Sequence, residues 1–175
     1  MHHLKGWGIP KDKAKALSFF EEGLALKDKD SALAIALAQP YNSTSYWHYL
    51  EQAADWGHAQ AQFKLALAFT ARRTVSSDEQ AMMWLRKASI QRYPKAMLLL
   101  SRTLASERSG RAPNYMSAYR WARRCASIGG CTQSWVDILF SKLNEAEKLY
   151  ALNENDVDDK EFHELSQKLF GTAGM

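Results

Sequence analysis

The two cysteines are the residues whose type and spacing most directly support chemistry in this chain. Cys125 and Cys131 flank the glycine pair Gly129 and Gly130, so a disulfide from the end of one helix to the start of the next is sterically feasible. Alternatively, Cys125 is a small packing residue, because it stands where other copies of a repeated pattern carry alanine. Two thiols with no histidine or further cysteine nearby do not complete a tetrahedral metal site. We expect no metal here, and the pairing of the thiols stays open.

The other candidate groups form no catalytic pattern. The sequence contains no glycine-rich phosphate loop, no His-Glu-x-x-His, no Gly-x-Ser-x-Gly and no Cys-x-x-Cys. His58 follows a turn at Gly57 and is expected to cap a helix or lie on the surface rather than act as a base. The segment 153–164 superficially resembles a calcium loop, but the required glycine is missing and Val157 falls on a ligand position. We predict a protein that is not an enzyme and has no cofactor or metal.

A repeated pattern indicates the elements that would position a binding site. An aromatic residue is followed by Ala or Cys four positions on, by Gly at eight and by a small residue near twelve. The copies are Phe20, Leu24, Asp28, Ala32; Tyr49, Ala53, Gly57, Ala61; Trp84, Ala88, Arg92, Ala96; and Trp121, Cys125, Gly129, Ser134. Their aromatic anchors lie 29, 35 and 37 residues apart, which is the period of a helix-hairpin solenoid.

Composition supports an all-α fold. The chain has 175 residues, 46% of them hydrophobic, which is enough for a core, and β-branched residues are sparse. We predict a right-handed α-solenoid of about four antiparallel helix hairpins over residues 1–152. The expected repeats are about 6–40, 41–73, 76–108 and 113–142, followed by an acidic loop and a C-terminal capping helix over 153–175.

Capping residues set the expected helix boundaries. The predicted signals are Asn42 and Ser43 for the third helix, Ser77 with Gln80 for the fifth, Pro94 for the sixth and Asn114 for the seventh. We expect an eighth helix that starts near Cys131 and continues to about Leu152. No apolar run approaches the roughly 18 residues of a membrane helix, so we expect no membrane insertion and a soluble chain, cytoplasmic or periplasmic.

Two stretches resemble a known family. The segment 6–16, GWGIPKDKAKA, is similar to the loop and first-helix opening of the Sel1-like repeat (SLR), a relative of the tetratricopeptide repeat. The segment 50–66, LEQAADWGHAQAQFKLA, resembles the helix-turn-helix core of that repeat. The resemblance covers about residues 6–142, although Asp28 and Arg92 replace the turn glycine. It implies a noncatalytic bacterial adaptor or regulator, sometimes exported to the periplasm, in a chain that opens within a repeat.

The predicted partner-binding surface lies beside the repeated anchors. Positions two before and two after an anchor lie four apart on one helical strip, which faces the concave groove in related repeats. These positions are Trp47, Glu51, Met82, Arg86, Tyr119 and Arg123. Aromatic residues, Met and Arg are enriched at protein interfaces. The alternative is that Arg86 and Arg123 are merely solvated and that Met82 belongs to the peripheral core.

Charge is distributed unevenly along the chain. Residues 64–124 contain 13 Lys/Arg and 3 Asp/Glu, whereas residues 137–164 contain 9 acidic and 3 basic residues. The basic stretch predicts a protein partner with an acidic surface, as for a bacterial adaptor, a regulator or an immunity protein that inhibits a toxin. A polyanion-binding module that uses the basic face of residues 64–124 is the alternative, although no nucleic-acid-binding motif supports it. The acidic tail is expected to cap the solenoid or, alternatively, to fold back onto the basic groove.

Overall fold

Nine helices make up the regular structure of the residues described in a computed structural model of the chain, namely 13–107 and 110–153. Their bounds are α1 Lys13–Ala25, α2 Lys29–Ala38, α3 Thr44–Asp55, α4 Ala59–Arg72, α5 Val75–Ile90, α6 Pro94–Leu104, α7 Tyr115–Ser127, α8 Gln133–Ser141 and α9 Glu145–Asn153. The predicted all-α class is confirmed. The predicted opening loop at 6–12 and the acidic segment with its capping helix at 154–175 lie outside the described residues.

Two compact units divide the chain between Leu65 and Ala66, within α4. In the first unit, α1 packs against α2 and α2 against α3; in the second, α5 packs against α6, α6 against α7 and α7 against α8. Alanine and leucine dominate both cores, since small side chains let helices approach closely. The completely buried apolar residues are Ala32, Ala36, Leu50, Ala53 and Ala61 in the first unit and Ala66, Leu85, Ala88, Ala96, Leu100, Ala118, Ala122 and Cys125 in the second.

The same backbone motif ends α1, α3, α5 and α7. At the end of α3, the His58 N–H donates to the Ala53 carbonyl at 2.8 Å and the Gly57 N–H donates to the Ala54 carbonyl at 3.0 Å, which is the Schellman motif. The equivalent longer bonds run from Asp28 to Gly23, from Tyr93 to Ala88 and from Gly130 to Cys125. The left-handed position is held by Lys27, Gly57, Arg92 and Gly129, with φ of 55°, 90°, 57° and 72°.

This motif corrects the register of the first repeat. Lys27, not Asp28, has the positive φ, so the first copy runs from Phe19 through Gly23 and Lys27 to Ser31, one residue earlier than predicted. A Cβ on Gly23 would collide with the Ser31 side chain, which explains why this copy needs small residues at both positions. Asp28 instead caps α2 and accepts from the Ser31 N–H at 3.0 Å. A hydrogen bond from the Ser31 hydroxyl lowers the pKa of Asp28.

Three of the predicted caps are confirmed. Ser43 accepts from the Tyr46 N–H at 3.1 Å, Pro94 occupies the first turn of α6, and Asn114 accepts from the Ser117 N–H. The cap of α5 differs from the prediction.

Thr74, rather than Ser77, is the N-cap of α5. The Thr74 hydroxyl accepts from the Ser77 N–H at 3.1 Å, and the Ser77 hydroxyl accepts from the Thr74 N–H at 2.9 Å. These two bonds form a reciprocal capping box. Ser77 is therefore the third residue of the helix, and Gln80 has no role in this cap.

The predicted long eighth helix is wrong. It is interrupted after Ser141, and α9 starts at Glu145. The side chain of Asn144 accepts from the Glu147 N–H at 2.9 Å, and the Glu147 carboxylate accepts from the Asn144 N–H at 2.9 Å. This reciprocal pair caps the start of a new helix.

None of the helices in the described ranges is long and apolar enough to cross a membrane.

Candidate functional site

The six residues predicted to bind a partner are distributed over both units. Trp47 and Glu51 lie on α3 in the first unit. Trp47 is half-buried with its ring edge-on to Tyr46, whose centroid lies 5.0 Å away, and Glu51 is exposed. The two residues share one face of α3 because they are four positions apart. That they act together with the residues of the second unit stays a prediction.

Met82 and Arg86 lie on α5 in different environments. The Met82 side chain is only 2% exposed and belongs to the core of the second unit. This placement matches the alternative interpretation of Met82 and corrects its expected place on an open surface. Arg86 is half-buried one turn further along the helix, so of the two it is the residue that a partner can reach.

Tyr119 and Arg123 meet in one pocket at the end of the second unit. The cavity has a volume of about 530 Å³ and lies among α7, α8 and α9. Its lining residues are Tyr119, Arg123, Ala126, Ser127, Gln133, Val136, Ala151 and Leu152. This volume falls within the ~300–1,000 Å³ of ligand pockets. The structure thus brings together two of the six predicted residues.

An aromatic and cationic wall forms the α7 side of this pocket. The Arg123 guanidinium carbon lies 5.7 Å from the centroid of the Tyr119 ring, within the range of a cation–π contact. The Tyr119 ring in turn lies 5.6 Å from the Phe140 ring. Because Tyr119 is 7% exposed, it is a fixed support for Arg123 rather than a freely exposed anchor.

The α9 wall was missed by sequence reasoning. Ala151 is buried and Leu152 is 67% exposed, and both line the cavity. A continuous eighth helix would not place these residues against α7. The pattern Asn144-x-x-Glu147 is a recognisable capping box and would have revealed the break.

A disulfide joins α7 to the short segment before α8, beside the pocket. Cys125 and Cys131 are bonded, with their Cα atoms 5.2 Å apart, and Cys125 is completely buried. The two interpretations of Cys125, packing residue and bridge partner, therefore hold together. Ala126 and Ser127 follow the first cysteine and Gln133 lies two residues after the second, so the bridge constrains both ends of this part of the lining.

A buried serine links the helices behind the pocket. The Ser101 hydroxyl on α6 donates to the Ala118 carbonyl on α7 at 2.8 Å and accepts from the Trp135 indole N–H on α8 at 3.0 Å. Ser101 is completely buried, and a buried hydroxyl requires such partners. These bonds tie α6 to both α7 and α8 through one hydroxyl group.

Several cations of the basic stretch lie over aromatic rings. The pairs are Arg72 with Phe69, Lys87 with Trp84, Arg102 with Trp135, Arg120 with Tyr150, Arg123 with Tyr119 and Arg124 with Trp121. Arg124 is also 9% exposed. Much of the positive charge of residues 64–124 therefore has a packing role in addition to any role in binding.

His58 supports the turn between α3 and α4, as predicted for a capping residue. Its Nδ1 accepts from the Gln60 and Ala61 N–H groups at 3.2 and 3.4 Å, while Nε2 lies 3.3 Å from an Asp30 carboxylate oxygen. Burial lowers the pKa of His58, although Asp30 opposes that shift. Within the described ranges, no cluster of three His, Cys, Asp or Glu residues could hold a metal ion.

Comparison with known proteins identifies the architecture. No protein-family model matches the sequence, and no curated protein matches it significantly. Among solved structures, a Sel1 repeat protein from Oxalobacter formigenes is 21% identical, with a TM-score of 0.60 over 71% of this chain and 97% of that protein. A protective antigen present in uropathogenic Escherichia coli strains, which displays an SLR fold, is 22% identical, with a TM-score of 0.67 over 99% of this chain.

The chain has the SLR fold. It spans nearly the whole Oxalobacter formigenes protein but 40% of the length of the Escherichia coli protein. The SLR fold agrees with the two motifs at residues 6–16 and 50–66, the second of which covers the end of α3, the Gly57 turn and much of α4. Within the SLR fold, the pocket belongs to the last three helices of the described chain.

Proposed function

We propose that the protein is a noncatalytic scaffold that binds a partner protein through the second unit. The observation that carries this proposal is the pocket among α7, α8 and α9, which combines an aromatic wall, an arginine and aliphatic residues. Such residues supply most of the energetically important contacts at protein interfaces. The SLR fold supports the proposal, because helical repeats present extended binding surfaces.

The proposed partner has an acidic surface. Arg123 lines the pocket and Arg86 is partly exposed on α5, within a stretch that has 13 basic and 3 acidic residues. Complementary charge accelerates encounter and fixes orientation. Trp47 and Glu51 are proposed as further partner-binding residues within the first unit. The proposed biological role is that of a bacterial adaptor, a regulator or a toxin-inhibiting immunity protein.

We also propose that the chain works in an oxidising compartment such as the periplasm. The disulfide between Cys125 and Cys131 supports this, because disulfides persist outside the reducing cytosol. Of the two compartments that the sequence leaves open, the bridge favours the exported one.

A capture experiment with matched charge reversals tests the proposed scaffold. The immobilised chain, its Arg123→Glu variant and its Lys95→Glu variant are exposed to nuclease-treated bacterial lysate at about 0.15 M salt. Bound proteins are then identified by mass spectrometry. Lys95→Glu changes the net charge by the same amount as Arg123→Glu. Because Lys95 is exposed on α6 and does not line the pocket, this control leaves the pocket lining unchanged.

We expect one protein to be retained by the parent and by Lys95→Glu but to be lost by Arg123→Glu. Equal loss in both variants would indicate nonspecific charge. Retention of nucleic acid alone, without nuclease treatment, would instead support the polyanion-binding alternative, whose affinity should fall steeply with salt.

A further inference from the structure

We infer that the pocket among α7, α8 and α9 binds an acidic peptide segment by an apolar side chain and an adjacent carboxylate. The apolar side chain enters between the three helices, and the carboxylate pairs with Arg123. This inference rests on the proposed scaffold function and gives the chemistry of its partner at one site.

The apolar half of the site comes from four aliphatic residues on three helices. They are Ala126 on α7, Val136 on α8, and Ala151 and Leu152 on α9. A cavity of about 530 Å³ accommodates a leucine-sized side chain together with part of the peptide backbone. Leu152 is largely exposed, and covering it removes apolar surface from water, which favours binding.

The polar half of the site has one strong donor. Among the described residues that line the pocket, Arg123 alone carries a charge. The Ser127 hydroxyl donates to the Arg124 carbonyl, and the Gln133 side-chain amide donates to the Asp137 carboxylate. These two donors are therefore engaged within the protein. The Arg123 guanidinium carbon lies 5.7 Å from the centroid of the Tyr119 ring, and a guanidinium in a cation–π contact can still present its N–H edge to a carboxylate in a bidentate pair.

The site is held in shape before a ligand arrives. The Cys125–Cys131 bridge joins the segments that carry Ala126, Ser127 and Gln133, and the Ser101 hydroxyl links α6, α7 and α8. A preformed site loses less conformational entropy on binding. Reduction of the bridge should therefore weaken peptide binding without removing any lining residue.

A double-mutant cycle with two short peptides tests this chemistry. The probes are acetyl-Gly-Asp-Leu-Asp-Gly-amide and the same peptide with Asn in place of both Asp residues. Each is titrated into the isotope-labelled full chain, and amide shifts near Ala126, Gln133 and Ala151 report binding. The variants are Arg123→Gln, Arg123→Lys and the control Lys95→Gln, whose side chain is exposed and does not line the pocket.

We expect the Asp peptide to bind the parent chain about tenfold more tightly than the Asn peptide, which corresponds to one strong charged contact. Arg123→Gln should abolish this preference, Arg123→Lys should retain part of it, and Lys95→Gln should leave it unchanged. Unperturbed amide shifts elsewhere confirm that each variant is folded.

Several results would overturn the inference. They are equal affinity for the two peptides, a preference that survives Arg123→Gln, or the absence of shifts in the pocket. Pocket shifts that depend on protein concentration alone would assign the site to a second copy of the chain. If neither peptide binds but the parent chain captures a protein that Arg123→Glu does not, the scaffold function is supported and only the proposed binding of an apolar side chain with a carboxylate is wrong.

Discussion

The Gly57 turn of the first unit and the Gly129 turn of the second have the same backbone hydrogen bonds but are supported by different side chains. Both form the two Schellman hydrogen bonds at the end of a helix. At the first turn, the His58 imidazole caps the next helix and contacts Asp30. At the second turn, a disulfide joins the end of α7 to the segment that precedes α8.

The difference shows that the hydrogen-bond frame specifies the turn, while the supporting side chains determine which conditions weaken it. Protonation of the imidazole weakens the support of the Gly57 turn, and reduction of the disulfide by an added thiol weakens the support of the Gly129 turn. The two turns thus allow matched experiments in one chain, in which each support is removed while the other serves as the reference.

The largest expected difference concerns the glycines. A Cβ on Gly130 would lie 2.5 Å from Pro94 Cβ and 3.1 Å from Cys125 Sγ, whereas a Cβ on Gly57 meets nothing within 4 Å. Gly130→Ala should destabilise the chain by about 3 kcal/mol, because neither neighbour can rotate away. Gly57→Ala should cost about 1 kcal/mol from its positive φ alone. Thermal and denaturant unfolding of both variants measure the contrast, and equal losses would contradict it.

Removal of the disulfide should have the next largest effect. Cys131→Ser or reduction should lower stability around the Gly129 turn by about 2 kcal/mol, the expected value for a short closed loop. Hydrogen exchange should show faster opening at Gly129 and Gly130 and unchanged rates at Gly57 and His58. A similar acceleration at both turns would show that the bridge does not act locally.

Acidification should lower stability at the Gly57 turn, and this is the smallest of the three expected effects. Burial holds the pKa of His58 below its ordinary value of 6.5, although Asp30 and Asp28 raise it and Lys29 lowers it. Because the folded pKa is depressed, the cap is fully present above about pH 6.5 and is lost as pH falls through the folded pKa. Protonated Nδ1 cannot accept from Gln60 and Ala61.

The expected loss is under ~1 kcal/mol, the scale of one N-cap. NMR titration of His58, together with unfolding of the parent chain and of His58→Asn at several pH values, measures it. The Asn variant keeps a neutral capping side chain and should lack this component of the pH dependence. An unchanged pH profile in His58→Asn would assign the effect to other groups.

The all-α repeat fold could be predicted because its determinants are local and periodic. Anchors such as Trp84 and Trp121, and small residues such as Ala88 and Cys125, are buried as expected. The register of the first repeat could not be predicted, because nothing in sequence distinguishes a left-handed Lys27 from a left-handed Asp28. The structure resolves it through the hydrogen bonds of the turn.

The candidate site was only partly predictable, for two physical reasons. Helical spacing gives the face of α7 that carries Tyr119 and Arg123, but burial of Met82 depends on packing between helices. The α9 wall of the pocket depends on a helix break at Asn144, and a hydrophobic pattern alone does not reveal that break.

Three cations lie one or two residues after the end of a helix in a conformation that normally favours glycine. Lys27, Arg73 and Arg92 have φ of 55°, 53° and 57° after α1, α4 and α5. That backbone costs an L-residue about 1–2 kcal/mol, but a cation beside the terminal carbonyls gains about 0.3–1 kcal/mol from the negative end of the helix macrodipole. At these three positions the positive charge therefore offsets part of the cost of the left-handed backbone, whether or not the same side chain also contacts a partner.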